Sequence, residues 1–143
     1  MIRVIVADDH TVLRDGLRYL LEAQGDIQIV GMAANGQEAV DQAARSCPDV
    51  ILMDISMPVM NGIEATKHIC RICSNTKVAI LSMHHTAEYM QRALEAGAVG
   101  YLLKDSAGAE LVTAIRAIHN GKRYLSPQVA KSLGNNSLWK NGK

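Results

Sequence analysis

The stretch Val50-Ile51-Leu52-Met53-Asp54-Ile55-Ser56-Met57-Pro58-Val59-Met60-Asn61-Gly62 constrains the chain most. Val50 to Met53 run without a polar break, as in a strand buried on both faces of a parallel sheet. The run stops on one carboxylate, Asp54. Pro58 and Asn61-Gly62 then predict a turn that keeps the strand from continuing. Asp54 is thereby expected at the carboxyl end of a central strand, where open α/β sheets bind their ligands.

The rest of the chain repeats this design. Ile2 to Ala7 read as a first strand ending at Asp8-Asp9-His10, followed by a helical stripe of Val12, Leu13, Leu17, Leu20 and Leu21 that closes near Gly25. Ile27 to Ala33 alternate, as an edge strand does, and Asn35 can cap a helix over about Gln37 to Arg45. After the central strand come a helix near Ile63 to Ile72 and a buried strand, Val78 to Leu81, ending on Ser82. A helix capped by Thr86 and ending at Gly97 follows, then a short strand from Val99 to Leu103 ending at Lys104. The last helix carries Leu111, Val112, Ile115 and Ile118 on one face and stops at Gly121. Strand and helix alternating in this way predict an α/β fold: a doubly wound, five-stranded parallel sheet with helices on both faces. A strand order of 2-1-3-4-5 leaves strand 2 outside the site and puts the switch point between strands 1 and 3.

At 143 residues the chain has the length of one domain, and 48% hydrophobic with 20% charged residues is ordinary globular composition. Aromatics are 3% and Phe is absent, so Val, Ile, Leu, Met and Ala must build the core. A net charge of +1 gives no electrostatic case for nucleic acid or membrane binding by these residues. No stretch has the length of a membrane span and no signal peptide precedes the first strand, so a cytoplasmic location is expected. Cys47, Cys70 and Cys73 are too few for a disulfide scaffold; Cys70-x-x-Cys73 closes a helix rather than opening one, and all three are expected as reduced thiols.

The strand ends would gather Asp8, Asp9, Asp54, Ser82 and Lys104. Clustered carboxylates cannot all stay ionised without a cation, and a hard divalent ion such as Mg²⁺ fits an oxygen-rich site. A cation, an ammonium and a hydroxyl around one carboxylate suit phosphoryl transfer, with Asp54 as the attacking group and an aspartyl phosphate as product. Taken singly the residues have plainer roles: Asp8-Asp9 could cap the first helix, Ser82 could cap another, and Lys104 could be solvated. Their joint position at four strand ends favours the chemical reading.

Asp8-Asp9, Asp54 with Met57-Pro58 and Gly62, Ser82, Tyr101 and Lys104 together resemble the response-regulator receiver domain of two-component signalling. The resemblance spans residues 1–121 and implies the flavodoxin-like receiver fold. It implies Asp54 as the phosphoacceptor for a sensor histidine kinase, rather than a classical enzyme's nucleophile. Asp9, Asp54 and the Ser56 backbone carbonyl would hold Mg²⁺, and Asp8 would act on the metal through water. Ser82 would bond a phosphoryl oxygen, Lys104 would pair with the phosphate, and Tyr101 would report the state by turning inward or outward. Ser56 and His84, each two residues past a site residue, could tune the lifetime. His10, His68 and His119 show no ligand spacing.

Val6 to His10, Leu81 to His84 and Gly100 to Asp105 resemble the NarL/FixJ branch in particular. That branch continues into a LuxR-type helix-turn-helix, and Tyr124 to Ala130 look like the start of its interdomain linker. Residues 122–143 are thus expected to be a linker remnant and mobile tail, with DNA bound only through a C-terminal domain not present here. A phosphorylation-dependent homodimer is the expected association, through helices 1 and 5 or through helix 4, strand 5 and helix 5. A receiver-like interaction module independent of phosphate is the main alternative. A phosphatase of the haloacid dehalogenase class is a further one, but it would want a carboxylate where Ser56 stands.

Overall fold

A computed structural model describes residues 1–83, 86–106 and 108–133. Strands β1 (Ile2–Ala7), β2 (Ile27–Ala33), β3 (Val50–Asp54), β4 (Lys77–Ser82) and β5 (Gly100–Leu103) alternate with helices α1 (Thr11–Glu22), α2 (Gly36–Ser46), α3 (Gly62–Ile72), α4 (Ala87–Ala96) and α5 (Gly108–His119). All strands pair in parallel in the order β2-β1-β3-β4-β5, as expected, and a sixth short strand, β6 (Tyr124–Leu125), extends the sheet beyond β5.

Side chains alternate across each strand, which splits the core into two layers. Ile5, Ile51, Met53, Ile80 and Tyr101 pack with Ala39 and Ala43 of α2, Ile63 and Ile69 of α3, and Met90 and Ala93 of α4. Val4, Val6, Leu52, Leu81 and Leu102 pack with Leu17 and Leu21 of α1 and with Leu111, Ile115 and Ile118 of α5. With both faces covered, β3 is buried along its whole length, which explains its unbroken apolar run.

The caps follow the sequence signals. Asn35, Asn61 and Thr86 accept hydrogen bonds from the amides of Glu38, Glu64 and Tyr89, while Gly97 closes α4 in the left-handed region. Asp8 and Asp9 do not cap α1; His10 occupies that position without a side-chain cap bond.

Two expectations are corrected here. Residues 122–133, anticipated as linker, fold back on the sheet. Tyr124 and Leu125 pair with Gly100 and Tyr101, and the Ser126 amide donates to the Tyr101 carbonyl at 3.1 Å. A short helix, α6 (Pro127–Leu133), then buries Val129 in the apolar cluster that holds Tyr101. The Tyr124 hydroxyl donates to Glu110 at 3.0 Å, and burial plus that carboxylate push its pKa up to about 12. The anticipated mobile tail, residues 134–143, lies outside the described residues.

The second correction concerns the thiols. Cys47 and Cys73 form a disulfide, with Cα atoms 5.6 Å apart, and only Cys70 is free. Both bonded cysteines are C-caps, of α2 and α3, and these helices pack side by side on one face of the sheet. Cys70 lies one helical turn before Cys73 and is half-exposed, whereas Cys73 is buried toward α2. Among the described residues, no helix is long and apolar enough to cross a membrane.

Candidate phosphoacceptor site

The carboxyl ends of the strands carry the polar groups. Asp8 follows β1, Asp54 ends β3, Ser82 ends β4 and Lys104 follows β5. Each is fixed by the strand behind it: the Asp8 amide donates to the Ala33 carbonyl of β2 at 3.0 Å, and the Lys104 amide to the Ser82 carbonyl at 2.9 Å. Parallel pairing therefore turns residues far apart in the chain into neighbours.

Lys104 is the hub. Its Nζ lies 3.0 Å from Asp54 Oδ2, 3.0 Å from Asp8 Oδ2 and 2.9 Å from His10 Nδ1. Asp8 is fully buried and Asp54 is 2% exposed, so one ammonium faces two carboxylates withdrawn from water. Burial pushes the Asp54 carboxyl above its usual range and the Asp8 charge adds to this, although Lys104 and the Ser56 amide pull the other way. Burial opposes the charge of Lys104, but its bonds to Asp54 and Asp8 outweigh that and raise its pKa. Asp9 stands at the rim, its side chain 35% exposed. Asp8, Asp9, His10 and Asp54 each offer one ligand atom, all within 4.8 Å of one another, a set able to hold a metal ion.

The loop after Asp54 is shaped by backbone contacts. The Ser56 amide donates to Asp54 Oδ1 at 3.1 Å, the Gly62 amide to the Ile55 carbonyl at 2.9 Å and the Gly36 amide to the Met60 carbonyl at 3.0 Å. A Cβ on Gly62 would collide with the Asp54 carbonyl oxygen, and one on Gly36 with that of Met60, so both positions admit glycine alone without a backbone shift. Within the turn, Asn61 caps α3 and Gly62 begins it, while Val59 is left-handed at φ 69°, a costly choice for a β-branched side chain.

Tyr101 is fully buried on β5. Burial raises its pKa and the nearby Ser82 hydroxyl partly offsets this. The aromatic ring points inward. A cleft of about 600 Å³ between Lys104 and α6 is lined by Met83, Leu103, Asp105, Gln128 and Lys131 as well.

Residues 4–116 match the family model of the response regulator receiver domain. The chain belongs to that family. It is 48% identical over 130 residues to the transcriptional regulatory protein LiaR of Bacillus subtilis (strain 168), covering 91% of this chain and 62% of that protein. The response regulator UvrY of Escherichia coli (strain K12) is 39% identical over 133 residues, covering 93% of this chain and 61% of UvrY. The chain thus spans about three fifths of the length of these curated relatives. A crystal structure of a LuxR-family two-component response regulator from Aurantimonas sp. SI85-9A1 superposes with a TM-score of 0.89 at 38% identity, covering 95% of this chain and 97% of that one.

Within this receiver, Asp8, Asp9, Asp54 and Lys104 come together as the sequence suggested, and Ser82 and Tyr101 are neighbours on adjacent strands. Ser56 is exposed with its amide on Asp54. His84 lies outside the described residues. His10 was not anticipated. Its one sequence signal is its place directly after Asp9.

Proposed function

We propose that this chain is a phosphorylation-activated switch in which Asp54 accepts a phosphoryl group from a sensor histidine kinase. The observation carrying the reading is the Lys104 ammonium 3.0 Å from both Asp54 and the buried Asp8, at the carboxyl ends of three strands. An Asp54 carboxylate oxygen attacks phosphorus in line as the bond from phosphorus to the donor's imidazole nitrogen breaks. The product is an acyl phosphate on Asp54. Lys104 already sits against Asp54 and passes to a phosphoryl oxygen, neutralising part of the added charge. Ser82 turns from its neighbour Tyr101 to bond another phosphoryl oxygen.

The acidic set fits Mg²⁺, since one ammonium leaves the carboxylates of Asp8, Asp9 and Asp54 with excess negative charge. Asp9, Asp54 and the Ser56 carbonyl would hold the ion, and Asp8 would reach it through water. Bound there, Mg²⁺ supplies charge neutralisation between an anionic phosphoryl donor and an anionic acceptor.

Withdrawal of Ser82 from Tyr101 would loosen the inward aromatic and the β6–α6 segment packed with it, changing an association surface in a two-state manner. The expected partners are the kinase, a second copy of the receiver, and DNA through a LuxR-type output domain. A cytoplasmic setting suits these partners. The deciding experiment is intact mass after incubation with Mg²⁺ and a small acyl-phosphate donor, beside Asp54→Asn. A Mg²⁺-dependent gain of one phosphoryl group, absent in the variant, is expected. No gain in the parent would instead leave an interaction module working without phosphate.

A further inference from the structure

His10 holds the N-cap position of α1 yet makes no cap bond with its side chain. Its imidazole lies instead over the acidic cluster, with Nδ1 2.9 Å from Asp8 Oδ1, 3.4 Å from Asp9 Oδ1 and 2.9 Å from Lys104 Nζ. The Asp8 carboxylate beneath it is fully buried, and among the described residues its Oδ2 is faced by the Lys104 ammonium alone, at 3.0 Å. One nitrogen donor therefore converges with three carboxylates, all ligand atoms within 4.8 Å. The imidazole is also 61% exposed, so it can turn on a small rotation without leaving a packed core.

Ligand chemistry gives this addition a consequence. Mg²⁺ takes oxygen donors and water and gains little from imidazole, whereas Co²⁺, Ni²⁺ and Zn²⁺ bind mixed nitrogen–oxygen sets more tightly. We propose that His10 is a nitrogen ligand that makes this acidic site a centre for a zinc-class divalent transition ion, in competition with Mg²⁺. The inference rests on the receiver reading of the acidic site and adds His10 to it. Binding would place a lone pair of Nδ1 on the ion and release to solvent any proton that Nδ1 holds toward Asp8. The ion would also take over from Lys104 as countercharge to Asp8. A receiver so equipped has a second input: a transition ion held at the Mg²⁺ position.

The test uses Co²⁺, whose visible absorption responds to nitrogen ligation, titrated into the purified chain, His10→Ala and Asp9→Asn, with Mg²⁺ affinity measured by calorimetry on the same samples. In the parent, excess Mg²⁺ should displace Co²⁺. In His10→Ala, Co²⁺ affinity should fall about tenfold or more and the absorption change in form, with Mg²⁺ affinity unaltered. Unchanged Co²⁺ affinity in His10→Ala, or an equal loss for both ions, would overturn the role of His10. Co²⁺ that Mg²⁺ cannot displace would place the ion on other groups and overturn it as well. If the parent binds neither ion, or Asp9→Asn binds both as the parent does, the metal-site reading itself fails.

Discussion

Ser82, at the end of β4, lies beside the buried phenol of Tyr101 on the neighbouring strand, near enough to offset part of the rise that burial causes in the phenol's pKa. The hydroxyl proposed to meet a phosphoryl oxygen therefore has the phenol as a competing neighbour, and uptake is expected to draw it away. Tyr101→Phe removes the competitor. It should cost about 1 kcal/mol of stability and raise the fraction phosphorylated at a fixed donor concentration by up to about fivefold. Phosphoprotein gels after equilibration with an acyl-phosphate donor would check this. A fraction equal to or below the parent's would mean the phenol does not oppose phosphorylation.

The β6–α6 segment sits on the same aromatic. The Ser126 amide bonds the Tyr101 carbonyl, and Val129 is fully buried in the cluster that contains Tyr101 and Met90. Val129→Asp puts a charge into that cluster and loses about 2 kcal/mol of apolar burial. The segment should detach while the five-stranded body stays folded. Limited proteolysis should then cut between Lys122 and Leu133 in the variant well before the parent, with unchanged far-ultraviolet dichroism of the body. Equal cutting rates would mean that Val129 does not hold the segment down.

These two relationships differ in how far the sequence reveals them. Asp54, Ser82 and Lys104 each end an apolar run, and a parallel sheet brings such ends together, so the site could be read from strand patterning alone. Patterning separated the central run, β3, from the alternating one, β2, whereas the full strand order is the one known for the receiver fold, the example by which the rule for doubly wound sheets is taught. Tyr124-Leu125 is too short for any periodicity and becomes a strand only because β5 offers a free edge. His10 carries no spacing signal, since its meaning lies in contacts to Asp8 and to Lys104, 94 residues away. The left-handed Val59 carries no sequence signal either: backbone bonds from Gly36 and Gly62 fix the loop and leave Val59 to absorb the strain.

The buried carboxylate of Asp54 predicts a pH dependence. Burial, then the charge of Asp8, raise its pKa in the folded chain above the ordinary 3.8, against the pull of Lys104. Between those two values the native state binds more protons than the unfolded one, so stability falls as pH rises through the folded value. The contribution is most favourable below the unfolded pKa. Asp54→Asn keeps the shape and removes the charge. With a chelator present, it should resist urea better than the parent at neutral pH, the gap narrowing as pH falls toward 3.8. A parent as stable as the variant at neutral pH would show that Lys104 compensates Asp54 in full.

The Cys47–Cys73 bond separates stability from chemistry. It closes a loop with a sequence separation of 26 and links the C-terminal ends of α2 and α3. In a parallel α/β sheet the helices run against the strands, so these ends lie at the edge opposite Asp54. Restricting the unfolded chain by a loop of this size stabilises the fold by about 3 kcal/mol. Dithiothreitol, or Cys47→Ser, should lower the urea midpoint accordingly with an unchanged native fold. Phosphoryl uptake on Asp54 should stay at the parent's rate below the new midpoint, because the bond lies at the edge opposite the site. A fall in uptake under conditions where the reduced chain is still folded would show that α3 carries the change from this bond up to Gly62, the residue that packs against the Asp54 carbonyl.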